Sequence, residues 1–113
     1  MTLHTEEASE LARKEQTLGR YLVDKIGGEL KVRGRDIDSE RSDIEISEVP
    51  STTLRAVKKH IIDFYKSYGF RDELNQDSGL LFVDDRNRKR GVTASYLEDE
   101  RMVLVTSLKI SNE

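Results

Sequence analysis

Between Pro50 and Gly69, Leu54, Val57, Ile61, Phe64, Tyr65 and Tyr68 recur at spacings of three and four. That spacing gathers six apolar side chains on one side of a helix and commits them to burial against another layer. It predicts a helix from about Ser51 to Tyr68, with Pro50 in its first turn and Gly69 as its stop. Proline suits a first turn because its missing N–H would have had no partner there, and glycine suits the left-handed residue that ends a helix. The second layer must come from the segments on either side, and these alternate with period two. Leu30 and Val32 alternate with charges in GELKVRGR, and Ile44 and Ile46 do the same in DIEIS. The polar run DIDSERSD between them predicts an antiparallel hairpin.

After the helix, LLFV (80–83), VTASYL (92–97) and RMVLVTSLKI (101–110) read as strands. Turns are marked by Asp77-Ser78-Gly79 and Glu98-Asp99-Glu100, and the basic loop DDRNRKRG joins the first two strands. Upstream, residues 5–26 predict another helix, with Thr5 as N-cap, Leu11, Leu18, Leu22 and Ile26 on one side, and Gly27-Gly28 as its end. Gly19 falls inside that pattern and permits a bend. The order α-β-β-α-β-β-β implies an α+β two-layer sandwich, an antiparallel sheet with two helices on one face. Residues 11–113 then form a single domain, and the acidic residues 1–10 are expected to be a mobile N-terminal extension.

With 113 residues the chain suits one core without staples, and with aromatics at 6% that core is mainly Leu, Ile and Val. The absence of cysteine removes disulfides, thiolate metal sites and cysteine nucleophiles together, and fits a reducing cytoplasm. No apolar run reaches the roughly 20 residues of a membrane span, and MTLHTEEASEL lacks the basic start and apolar block of a signal peptide. A soluble, cytoplasmic protein without a membrane partner is expected. The net charge of −3 disfavours nonspecific polyanion binding. Its distribution is uneven: residues 1–50 hold 8 basic and 12 acidic side chains, residues 51–113 hold 11 and 10.

Catalytic signatures are missing. His4 lies near the terminus, His60 lies on the flank of the second helix, and neither belongs to a nucleophile–base arrangement. Asp36-Ile-Asp38-Ser-Glu40 imitates the opening of a calcium loop, but Arg41 stands where the turn needs glycine and Ser47 where the closing bidentate carboxylate belongs. The glycines form no phosphate-cradling loop. No enzyme activity, metal or cofactor is expected.

The basic side chains are more informative. At 100° per residue, Arg55, Lys59 and Lys66 fall within about 40° of one another, opposite the apolar side, and span roughly 16 Å. Lys58 lies at the margin of the apolar face, from which its ammonium can snorkel to water. Asp63 interrupts the stripe. Arg86-Asn-Arg88-Lys89-Arg90 places four further cations in five residues at a hairpin tip, beside Asp84 and Asp85. Charge runs are usually solvated faces, but a helix stripe and a loop together match the footprint of an RNA phosphate backbone.

At these same residues the chain resembles the eukaryotic-type large-subunit ribosomal protein "L twenty-two e" family. Ser47-Glu48-Val49-Pro50 is followed in order by Lys58-Lys59, Tyr65-Lys66 and Arg71-Asp72, and upstream Tyr21-Leu22 leads to Lys31-Val32-Arg33-Gly34. The likeness spans residues 18–83 and is specific at 46–72. The chain departs from the family in its less basic helix, in an acidic helical extension where the family has a strand, and in the added last strand. The resemblance implies a sheet with two helices and RNA binding, on the ribosome or on structured hairpins.

The expected function is therefore a small RNA-binding, ribosome-associated protein, with phosphate contacts from Arg55, Lys58, Lys59, Lys66, Arg86, Arg88, Lys89 and Arg90. The alternative is a non-enzymatic protein-interaction module that uses its acidic half or an exposed edge strand. One continuous positive face would favour the first, and interspersed charges the second.

Overall fold

The structure, a computed structural model, describes residues 18–36, 41–77 and 79–110. Helix α1 covers 18–26 of these. Strands β1 (Glu29–Asp36) and β2 (Arg41–Ser47) form a hairpin, and helix α2 (Leu54–Ser67) follows. Strands β3 (Arg71–Gln76), β4 (Gly79–Val83), β5 (Lys89–Leu97) and β6 (Met102–Ile110) then run as a meander, with a single 3₁₀ turn (Glu98–Glu100) before the last. The six strands make one antiparallel sheet in the order β1-β2-β6-β5-β4-β3, so the meander returns to pair β6 with β2. Its edges are β1 and β3.

Alternation decides which face the helices cover. Ile44, Ile46, Leu80, Phe82, Val92, Ala94, Val103 and Val105 are buried on one face, in a single cluster with Leu18, Leu22 and Ile26 of α1 and Val57, Ile61, Phe64 and Tyr65 of α2. Both helices therefore lie on the same side, as the α+β two-layer reading expects. Aromatic contacts join the layers: Tyr65 stacks on Phe82 at 4.5 Å, and Tyr21 meets Phe64 at 5.6 Å between the helices. On the helix-free face, Met102, Leu104, Leu108 and Ile110 are half-buried.

The termini of α2 are built by its own residues. The Thr53 side chain accepts from the Ala56 N–H at 3.1 Å, an N-cap that satisfies an orphan donor. At the other end, Gly69 (φ +89°) donates to Lys66 O and Phe70 donates to Tyr65 O, both at 3.1 Å, which is a Schellman motif. The expected start at Ser51 is thus corrected, because Thr53 supplies the cap. Pro50 lies outside the helix, and a Cβ on Gly27 (φ +81°) would stand 3.0 Å from its Cδ.

Two other expectations change. A fourth strand follows α2: β3 has every residue exposed and no core-facing apolar side chain, so it left no periodic signal. Strand β5 begins at Lys89 instead of Val92, because Lys89 and Arg90 pair with Ile110 and Lys109. At Gly19 a Cβ would lie 2.6 Å from Leu30 Cδ1, so glycine lets α1 pack closely on β1; the bend expected there involves residues before 18, which lie outside those described. The helix start at Thr5, Leu11, the extension 1–10, His4 and the turn residues 37–40 lie outside the described residues.

Candidate binding surface

Helix α2 runs alongside β3 in the opposite direction. Lys58 Nζ donates to Asp77 O at 2.7 Å, just past the end of β3, and Lys66 Nζ lies 3.7 Å from Asp72 Oδ1 near its start. Between the first turns of α2 and the end of β3 lies a groove of about 860 Å³, open to solvent. Leu54, Arg55, Lys58, Lys59 and Ile62 form its helix wall, and Asn75 and Asp77 form the strand side. Three cations therefore face one carboxylate, a net of +2. Lys58 is tethered to the Asp77 carbonyl, whereas among the described residues Arg55 and Lys59 make no ion pair.

Strand β3 is half blocked and half open. A bulge lies between Asp72 and Leu74, and the blocked half carries the Lys66–Asp72 and Arg71–Glu73 ion pairs. Charges and bulges are the devices by which edge strands resist pairing with other chains. Leu74-Asn75-Gln76 has neither, pairs among the described residues only with β4, and exposes Leu74 to 51%. This open half is also the part of β3 that borders the groove.

The basic loop is organised by Asp84. Its Oδ1 accepts the backbone N–H groups of Arg86 (3.0 Å) and Arg88 (2.8 Å), and its Oδ2 accepts Arg88 Nε at 2.7 Å. Asn87 takes the left-handed conformation (φ +62°) that closes the turn. Burial pushes the Asp84 carboxyl pKa up, but the Arg88 backbone N–H, the Arg88 guanidinium and the Arg86 N–H outweigh it and hold the carboxyl below its ordinary 3.8.

The eight candidate residues therefore fall into separate places. Arg55, Lys58 and Lys59 meet at the groove, and Lys66 lies farther along the same helix, paired with Asp72. Arg86 and Arg88 occupy the β4–β5 loop, where Asp84 engages Arg88. Lys89 and Arg90 are strand residues on opposite sheet faces, not part of a hairpin tip. Arg90 turns toward the helix layer and donates to Ser107 Oγ at 3.1 Å, beside the buried Tyr65 hydroxyl. The loop follows Val83, which pairs with Arg71 at the start of β3, and the groove lies at its end. Six strand residues separate them, about 20 Å.

Reasoning from sequence expected an exposed edge strand in general terms but missed Asn75, Asp77 and the place of that edge on β3. Their one sequence signal is Leu74, a lone apolar residue in a polar run. Among the described residues, no three His, Asp or Glu side chains converge as metal ligands, and no helix is long and apolar enough to cross a membrane. Compared with family models, with curated proteins and with solved structures, the chain matches none. The likeness of residues 46–72 to the ribosomal family therefore rests on those residues alone.

Proposed function

We propose that the protein is a non-catalytic interaction module that takes an extended segment of a partner protein along the open half of β3, beside α2. One observation carries this reading: the uncharged edge at Leu74–Gln76, without a second strand partner among the described residues, adjoins a groove walled by a helix. An added strand gains main-chain hydrogen bonds from such an edge, and a neighbouring helix supplies pockets for alternate side chains. The rest of β3 is protected by ion pairs and a bulge, so the open stretch is a local exception within a guarded edge. A cytoplasmic place of action fits a chain without cysteine.

Binding of RNA, with ribosome association, is the second reading. It is favoured by Arg55, Lys59 and Lys66 along the outer side of α2. Phosphate contacts there would make affinity fall with salt, with a slope of about −0.7 per phosphate on single strands. Titrating the isotope-labelled chain with extended peptides and with oligouridylate at two salt concentrations separates the readings. The module reading expects peptide-induced amide shifts at residues 74–76. Shifts produced by oligouridylate alone, centred on residues 55, 59 and 66 and steep in salt, would refute it in favour of RNA.

A further inference from the structure

We infer that the segment taken by β3 alternates acidic and apolar residues, with its acids turned toward Arg55 and Lys59 and its apolar side chains against Leu74. The inference rests on the edge-strand reading and gives that site its ligand chemistry. A strand added beside β3 must direct successive side chains to opposite faces of the sheet. On the helix side these enter the groove, where Arg55 and Lys59 have no ion pair among the described residues and the net charge of the lining is +2. Carboxylates suit that side, because they gain charge-assisted hydrogen bonds from cations that have no carboxylate to give up. On the other face they meet Leu74, 51% exposed, whose cross-strand neighbour is the half-buried Leu81. An aliphatic side chain there removes apolar surface from water on both partners.

The length of the segment is bounded at both ends. Toward Arg71, the bulge and the Lys66–Asp72 and Arg71–Glu73 pairs stop further pairing. Toward the β3–β4 turn, β3 itself ends at Gln76, and the Asp77 carbonyl beyond it already accepts from Lys58 Nζ. About three to five residues of partner strand fit between these limits.

The test uses fluorescein-labelled, end-blocked peptides Glu-Val-Glu-Val-Glu, Ser-Val-Ser-Val-Ser and Lys-Val-Lys-Val-Lys with the full chain, read by anisotropy and by amide shifts. The acidic peptide is expected to bind best, the neutral one more weakly at the same amides, and the basic one not at all. Arg55→Gln with Lys59→Gln should weaken the acidic peptide about fivefold and leave the neutral one unchanged, since two exposed charge contacts are lost. Leu74→Asn should weaken both. Equal binding of acidic and neutral peptides at 74–76, or indifference to the double substitution, would overturn the inference while leaving the edge reading intact. If no peptide shifts the amides of 74–76, the edge reading itself fails.

Discussion

Replacing Asp84 tests whether the β4–β5 loop is a built turn or a free basic arm. Its carboxylate is 8% exposed and accepts three hydrogen bonds, two from backbone N–H groups and one from Arg88 Nε. Hydrogen bonds to a charged group contribute about 1.5–3 kcal/mol each when buried. The freed N–H groups of an exposed loop regain water, and Arg88 is 59% exposed, so its ion pair is discounted to about 0.2–1 kcal/mol. Asp84→Ala should therefore cost about 2–4 kcal/mol in urea unfolding at pH 7. Asp84→Asn keeps an acceptor for the backbone and should cost about half as much. The pH dependence has a definite sign. The folded pKa lies below the ordinary 3.8, so the stabilisation is complete above the unfolded value and is lost as pH falls through the folded one. The gap between wild type and Asp84→Ala should narrow as pH drops below about 4. A cost under about 0.5 kcal/mol at pH 7, or curves that stay parallel from pH 5 to 3, would refute the reasoning.

Ile61 is fully buried between α2 and the sheet, and Ile61→Ala should cost about 2–5 kcal/mol in urea or thermal unfolding. A loss under about 0.5 kcal/mol would place the wrong face of α2 in the core. Gly19→Ala should destabilise by about 1–3 kcal/mol although alanine favours helix, because the new Cβ meets Leu30. Adding Leu30→Ala should recover part of that loss in a double-mutant cycle, and simple additivity would contradict the contact. Gly69→Ala meets no neighbour within 4 Å, so its cost should be backbone strain alone, about 1 kcal/mol by urea unfolding.

How much of this was legible in the sequence follows from where burial leaves a pattern. The α2 face and the strands β2, β4, β5 and β6 announced themselves because each puts aliphatic residues into one core at period 3.6 or 2. Strand β3 did not, since an edge strand held by main-chain pairing needs no apolar alternation. Pro50 misled because a proline marks either a first helical turn or a packed corner, and only the Thr53 cap distinguishes the two. The basic residues read as one footprint on paper. Sequence proximity conceals that Lys89 and Arg90 leave by opposite faces of β5, and that Arg88 is held by a buried carboxylate. Arg55 and Lys59 do share a surface, but the partner across the groove, Asn75 and Asp77, became visible only with β3 in place.

Amide hydrogen exchange along β3 tests the central claim most directly. In the free protein, outward-facing amides within Leu74–Gln76 should exchange quickly, because among the described residues that edge has no strand partner. Saturation with the Glu-Val-Glu-Val-Glu peptide should slow exchange at 74–76 by at least about tenfold and leave 71–73, behind the bulge, unchanged. Unaltered exchange at 74–76, with binding registered only on the outer side of α2, would contradict it.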